Sequence, residues 1–195
     1  MLKKLLIGLA LSSSLFAMHE ASINLNNDDI EVNGNIDLGE LNKSDYPDSY
    51  FLTLSLLDVE QNTNTEPLYS AGFMLRQPIH GAGGLKFGIG VKGTYLKAGT
   101  IVHASVPINV GLSYVLPLDF VMPIYISGDL SYAPSVLSFE DADRYFEGRT
   151  ELGLQIIEQG SLFVGYRKID TNFKGTSGGD FTYSDTAYIG FKVKF

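Results

Sequence analysis

His103 and Ser105 have the one spacing in this sequence that could support nucleophilic catalysis. Alternate residues of a β-strand share a face, so the imidazole could activate the hydroxyl. A hydrolytic triad also needs a carboxylate that orients the imidazole. No Asp or Glu follows at a comparable strand position, and the pair lies on the face opposite to Val106 and Ile108. We therefore expect no catalytic site in this chain.

Metal and cofactor chemistry is also not expected. The chain has no Cys, which excludes disulfides, thiolate metal sites and a Cys nucleophile. His19 and His80 have no ligand-like neighbours, so a metal site built on histidine has no support. The formal net charge of -8 argues against nucleic-acid binding, which requires a basic surface.

Charged residues of both signs recur on the polar face of alternating segments. Buried charges must be paired, so such a set predicts a network of ion pairs if that face is enclosed. The predicted network consists of Lys86, Lys92, Asp129, Glu147, Arg149, Glu151, Arg167 and Lys192.

The first residues resemble a secretory signal peptide. Lys3 and Lys4 provide the positive start, an apolar core runs from Leu5 to Leu11, and small residues lead to Ala17. We predict a signal peptide at residues 1–17 and a single domain at residues 18–195. A retained anchor is the weaker alternative because the apolar core is too short to span a bilayer. A secreted chain without an apolar helix can span a membrane only as a closed barrel.

The domain consists of alternating segments, which predict β-strands with one apolar face. In residues 85–96, Leu85, Phe87, Ile89 and Val91 share one face and Lys86 and Lys92 the other. A long Gly-rich loop is predicted from Asp170 to the last strand. The ten predicted strands are 22–26, 30–38, 50–57, 69–75, 85–96, 106–114, 124–132, 146–156, 162–167 and 185–195.

These strands predict an all-β fold, a transmembrane antiparallel up-and-down barrel of ten strands. Single-chain bacterial barrels have an even number of strands, and eight is the alternative if the N-terminal hairpin drops out. Aromatic residues on the apolar faces fall at the strand ends, as the two girdles of a membrane barrel would. The predicted girdle residues are Tyr50, Tyr69, Tyr95, Tyr114, Tyr132, Phe146, Tyr166 and Phe195.

The last strand resembles the C-terminal signature of Gram-negative outer-membrane barrels. Its apolar face ends on an aromatic residue that carries the terminal carboxylate; the residues are Ala187, Ile189, Phe191, Val193 and Phe195. The resemblance implies recognition by the barrel-assembly machinery, with Phe195 at the periplasmic side.

A second resemblance covers the C-terminal third of the chain. Residues 132–169 contain Y-A-P, L-S-F-x-D, Y-x-E-x-R and V-G-Y-R, and residues 23–31 read I-N-L-N-N-D-D-I-E. These stretches resemble the YfaZ family of small bacterial outer-membrane proteins. The resemblance implies an outer-membrane barrel and carries no defined activity.

Two functions of such a barrel remain open. The charged interior could be a filled, structural lumen, because narrow barrels are usually filled by side chains. It could instead be a narrow polar diffusion channel, which inward glycines would favour by leaving space; these are Gly88, Gly90, Gly111, Gly153, Gly165 and Gly190. We expect a monomer in the cell outer membrane, in contact with outer-membrane lipid.

An enzyme is the third alternative. His103 and Ser105 resemble the His-x-Ser of the outer-membrane lipid A deacylases, which modify lipid. In that family the pair faces lipid, whereas here its parity points into the lumen. The flanking Asn of that motif is also absent.

Overall fold

A computed structural model describes residues 19–41, 49–60, 65–118, 122–174 and 180–195. The predicted signal peptide at residues 1–17 lies outside these ranges. Within them, no helix is long and apolar enough to cross a membrane.

The described chain consists almost entirely of antiparallel strands. In chain order these are β1 (His19–Leu25), β2 (Asp29–Asp37), β3 (Tyr50–Val59), β4 (Leu68–Pro78), β5 (Leu85–Ala98), β6 (Ile101–Ser105), β7 (Ile108–Val115), β8 (Ile124–Ala133), β9 (Ser138–Glu140), β10 (Ala142–Ile157), β11 (Gly160–Phe173) and β12 (Asp180–Lys194). A four-residue helix, α1 (Leu38–Leu41), follows β2, and a 3-10 turn (Ser135–Leu137) precedes β9.

Ten of these strands close into a barrel. Each pairs antiparallel with the next one around the wall, and the last strand, β12, pairs with the first, β1, in a register that aligns Phe191 with Ile23. The prediction of a ten-stranded antiparallel barrel is confirmed, and the eight-strand alternative is wrong because β1 is a full barrel strand. We call the end that carries His19 and Phe195 the terminal end and the opposite end the loop end.

The two short strands β6 and β9 extend the wall at the loop end. β5 pairs with β7 over its terminal half and with β6 over its loop half, and β6 also pairs with β9. The wall between β6 and β7 is interrupted at Pro107, which has no N–H to donate to a ladder and is buried. The predicted strand 106–114 therefore begins two residues late, at Ile108.

The predicted Gly-rich loop from Asp170 is largely strand. β11 continues to Phe173 and β12 begins at Asp180, so the walls rise well beyond Tyr166. The sequence pattern does not predict this extension of β11 and β12, because the outward residues there, such as Asp170 and Thr182, are polar. The lumen side there is apolar, with Ile169 and Tyr183 buried, so the pattern of the other strands, apolar outside and polar inside, is not continued.

The outer face of the barrel is an apolar belt. Leu54, Val91 and Leu130 are 47%, 49% and 53% exposed, and polar side chains point inward between them. Of the predicted girdle residues, all but the half-buried Tyr114 are 38–49% exposed on this face. Large exposed apolar surface that surrounds a barrel and is bordered by aromatic rings is the pattern of a lipid-facing wall.

The only extended apolar core among the described residues lies inside the lumen, at the loop end. We call it the apolar plug, and it consists of Leu57, Leu68, Leu96, Ala133, Tyr145, Ile169 and Tyr183. The Tyr183 hydroxyl donates to the Leu57 carbonyl at 3.1 Å and accepts from the Leu68 N–H at 3.2 Å. Its polar tip is therefore satisfied, which allows the ring to lie within an apolar cluster.

Three of the inward glycines are covered by aromatic rings, which corrects the expectation that they leave space. Directly across the ladder, Tyr125 faces Gly153, Tyr188 faces Gly165 and Phe163 faces Gly190. A Cβ at any of the three glycines would overlap the opposing ring. The rings fill one side of the lumen, because a glycine opposite an aromatic residue lets the ring lie flat on the backbone.

A pair of neighbouring substitutions on β3 tests the two faces. Leu54→Arg should lower the free energy of unfolding by about 2–4 kcal/mol, the scale for arginine at the middle of a lipid-facing strand. Thr53→Arg lies next to it on the inward face, lines a polar cavity and should cost less. Urea titration in lipid vesicles measures both. A larger cost for Thr53→Arg would mean that the faces are assigned the wrong way round.

Candidate functional site

The centre of the lumen is organised around the carboxylate of Glu31, which is 2% exposed. Arg149 donates to both of its oxygens, at 2.7 and 2.9 Å. Arg167 donates to Oε2 at 2.7 Å, and the Asn24 amide donates to the same oxygen at 2.7 Å. Because β2 is separated by two strands from β11 and by three from β10, these bonds cross the lumen. One carboxylate thus joins opposite walls of the barrel.

Arg167 makes a second ion pair on the same side. Its Nη2 donates to Asp29 Oδ2 at 2.6 Å, and the Ser184 hydroxyl donates to that oxygen at 3.0 Å. The guanidinium is 1% exposed, so every bond it makes lies away from water. Burial without partners would cost several kcal/mol, and two carboxylates plus a hydroxyl satisfy this group.

Glu147 forms the third part of this layer. It pairs with Lys92 and accepts from Arg149 at 3.2 Å, and the Tyr145 hydroxyl donates to it at 2.7 Å. Tyr145 belongs to the apolar plug, so this bond attaches the plug to the charges below it. We call the set Asp29, Glu31, Lys92, Glu147, Arg149 and Arg167 the ionic layer.

Nearer the terminal end, the charges form separate and less buried pairs. Lys192 lies 3.5 Å from Glu151, which also accepts from the Tyr188 hydroxyl at 3.1 Å. Glu20 lies 3.3 Å from Arg76 and 3.1 Å from Lys194. These pairs surround the mouth of a cavity and leave its middle open.

The predicted charged residues are thus divided among three environments. Lys92, Glu147, Arg149 and Arg167 meet in the ionic layer; Glu151 and Lys192 pair with each other near the mouth. Lys86 is exposed at the lining of the cavity. Asp129 lines the same cavity and makes no hydrogen bond or ion pair with any described residue.

Sequence reasoning missed several members of the network. Asp29 falls between the predicted strands 22–26 and 30–38, yet it opens β2 and pairs with Arg167. Glu20 and Arg76 were not singled out, and their pairing joins β1 to β4. The available signal was their parity, since each shares the inward face of its strand with other polar residues.

A cavity of about 480 Å³ occupies the terminal half of the lumen. Its walls include inward polar side chains of β1 to β5, β7 and β8, and Glu147 and Arg149 of the ionic layer also line it. The apolar plug lies beyond that layer. The cavity therefore opens at the terminal end and closes at the middle of the barrel.

His103 and Ser105 do meet, inside the loop end of the lumen. The imidazole Nε2 lies 3.1 Å from the Ser105 hydroxyl oxygen, which is 2.7 Å from the Thr94 hydroxyl oxygen. The two residues are 0% and 2% exposed. Among the described residues, no group hydrogen-bonds to His103 Nδ1, and the ring packs on Tyr145 with centroids 5.4 Å apart.

The predicted assembly signal lies on the outer face of β12. Ile189 and Phe195 are 57% and 41% exposed, Ala187 is exposed, and Phe191 and Val193 are half-buried. The five side chains point away from the lumen, so this edge of the barrel presents a continuous apolar face at the terminal end.

Comparisons with known proteins give a family and several distantly similar structures, two of which are described here. The model of a family described as YfaZ precursor matches residues 69–195. A NanC porin structure is 7% identical, with a TM-score of 0.46 and coverage of 92% of this chain and 100% of that one. Omp33, an outer membrane protein of Acinetobacter baumannii, is 13% identical, with a TM-score of 0.35 and coverage of 91% and 96%. No curated protein matches the chain.

Two adjacent residues of β11 test the energetics of the ionic layer. Arg167→Met leaves Asp29 and Glu31 short of a buried partner and should lower the free energy of unfolding by about 3–5 kcal/mol. Lys168→Met removes pairs of 3.5 and 3.9 Å from a side chain that is 42% exposed, and should cost less than about 1 kcal/mol. Denaturant titration in detergent micelles compares them. Equal costs would show that the layer contributes no more than a surface ion pair.

Proposed function

The chain belongs to the YfaZ family, and we propose that this member is a small outer-membrane β-barrel with a structural role and no through-flow of ions or solutes. The outer-membrane location is supported by the apolar belt, its aromatic borders and the apolar face of β12. The polar lumen-facing residues and the pairing of β1 with β12 support a barrel that closes within one chain.

The observation that carries the structural role is the apolar plug stacked on the ionic layer. An ion that enters from the terminal end meets Arg149 and Arg167, whose charges are already engaged by carboxylates. Beyond them lie the buried side chains of Leu57, Leu96 and Ile169, which offer no ligand to a dehydrated ion. Transfer of an unpaired charge into such surroundings is strongly unfavourable, so the stacked layers block the lumen.

A narrow polar channel is the second candidate. The cavity of about 480 Å³ favours it, because groups of both charges line an open space in the terminal half of the lumen. Conduction would require the apolar plug to move aside. The Tyr145 bond to Glu147 and the two Tyr183 bonds oppose that movement.

Catalysis is not part of the proposal. A lipid A deacylase-like reaction would need His103 and Ser105 to reach a lipid ester. Both side chains point inward and are buried against the plug, and no described carboxylate orients the imidazole. The third polar group in contact with this pair is the Thr94 hydroxyl and not a carboxylate. We interpret the three residues as a buried hydrogen-bonded cluster that stabilises the loop end.

The proposed partners follow from the outer face. The apolar belt contacts outer-membrane lipid. The barrel-assembly machinery recognises the apolar outer face of β12 when the chain inserts. Each of the ten barrel strands pairs on both sides, which leaves these strands no open edge for a second copy, so we propose a monomer.

Conductance tests the blocked lumen. Refolded wild-type protein in a planar bilayer should show no unitary current steps, with heat-modifiable gel mobility as the control for folding. Arg149→Glu should also stay silent and should melt at a lower temperature, because it places a third acid beside Glu31 and Glu147. Wild-type steps whose selectivity moves toward cations in Arg149→Glu would contradict the proposal and favour the channel.

Lipid A analysis tests the absence of catalysis. Cells that express the wild-type chain and cells that express Ser105→Ala should contain lipid A of the same acyl-chain composition by mass spectrometry. Loss of an acyl chain that depends on Ser105 would overturn this expectation.

Insertion of a C-terminal variant tests the assembly signal. Phe195→Asp should reduce the fraction of protein in the outer membrane and leave chain in the periplasm, because it ends the apolar face of β12 with a charge. Phe191→Leu keeps that face apolar and should insert normally. Normal insertion of Phe195→Asp would show that this strand end is not the signal.

A further inference from the structure

The terminal cavity contains polar atoms whose hydrogen-bonding capacity is unused. Among the described residues, the buried Oδ1 of Asn109 and hydroxyl of Tyr125 have no hydrogen-bond partner. Asn109 is 6% exposed, and its amide nitrogen is held by the Ser131 hydroxyl at 2.8 Å, which directs the free oxygen elsewhere. Both side chains line the cavity. Buried polar groups are rarely left without partners, so these atoms point to a ligand.

Asp129 lies beside Asn109 and also lines this cavity. The ladder places it between Gly111 on β7 and Arg149 on β10. Arg149 is engaged by Glu31 and Glu147, so its donors are directed away. Asp129 itself has no hydrogen bond or ion pair with a described residue. A Cβ at Gly111 would overlap its carboxylate, so this glycine is the residue that lets the carboxylate lie over the wall.

Three of the cations near the mouth lie in ion pairs: Arg76 and Lys194 face Glu20, and Lys192 faces Glu151. Lys86 lines the same end of the cavity. Asp129 lies farther in, and none of these cations is within ion-pair distance of it. Beside Asp129 the electrostatic preference is therefore for a positive group.

The wall opposite Asp129 is rich in hydroxyl and amide groups. It combines donors and acceptors at short spacing along four neighbouring strands, β1 to β4, and a molecule with several hydroxyls can bond to such a surface at many points. The lining residues of this wall are Ser22, Asn33, Asn35, Thr53, Ser55 and Ser70.

We propose that the terminal cavity binds a small polyhydroxylated molecule that carries a primary ammonium group, of the amino-sugar class. The ammonium pairs with the Asp129 carboxylate and donates to Asn109 Oδ1. The hydroxyls bond to the serine, threonine and asparagine wall and to the Tyr125 hydroxyl. A volume of about 480 Å³ lies within the usual range for small-molecule sites. The site goes beyond the structural role and does not require through-flow.

Binding titrations on the refolded full barrel in detergent test the proposal. Glucosamine should bind saturably, and glucose, which lacks the charge, should bind about tenfold more weakly, the scale of one charge-assisted hydrogen bond. Glucuronate should bind most weakly. Asp129→Asn should weaken glucosamine about tenfold and leave glucose unchanged. Asp58→Asn removes an exposed charge on the outer face of β3 and should change neither.

A second variant fills the site from within. Ser113→Lys on β7 lies one inward position nearer the terminal end than Gly111, within reach of Asp129, and its ammonium should displace glucosamine. Heat-modifiable mobility verifies that each variant is folded. Glucuronate binding as tight as glucosamine, or glucosamine binding unchanged by both variants, would overturn the proposal. The conductance result bears only on the plug, so the two proposals can fail separately.

Discussion

The barrel depends on the pairing of one carboxylate, Glu31, with two guanidiniums that come from the far wall. The lumen of a narrow barrel is largely filled by side chains, and charged side chains buried there must be paired. The ionic layer does this with three acids, Asp29, Glu31 and Glu147, and three bases, Lys92, Arg149 and Arg167. Its net charge is therefore zero, and removal of any one member would leave a buried charge.

Because the ionic layer has no net charge, the two ends of the lumen on either side of it can differ in how they are filled. Above the layer, Tyr145 turns a hydroxyl toward Glu147 and a ring toward His103, so one side chain belongs to both the charged and the apolar region. Below it, the pairs of Glu20 and Glu151 stay near the wall and leave the cavity open. The charged centre is thus the boundary between a packed half and a hollow half of the same barrel.

The strands and their facing were predictable because each has a local signature, an apolar side chain at every second residue. Val91 and Lys92 illustrate this: their neighbours in sequence suffice to say which points outward. The interior was not predictable in the same way. Whether Gly153 leaves a space or carries the Tyr125 ring depends on which residue of β8 lies opposite it, and local alternation does not determine that register. Asp29 pairs with Arg167, which lies 138 positions away in the chain. Asp129 lacks an ion pair because the neighbouring Arg149 is bound to other acids, which local sequence does not indicate.

The aromatic–glycine pairs have a consequence for how the chain assembles. A slip of one residue between two strands would turn the apolar side chains of one strand toward the lumen. A slip of two residues keeps them outside, so the hydrophobic pattern does not disfavour it. On β11 and β12 such a slip would set the Tyr188 ring opposite either Phe163 or Arg167 in place of Gly165. Phe163 and Arg167 both carry a side chain where Gly165 has none. The Tyr188 ring could then not lie against the backbone and would project farther into the lumen. A hairpin with such a slip loses the fit between ring and glycine backbone, so these glycines favour the native register of the strands over one that the apolar pattern alone would allow.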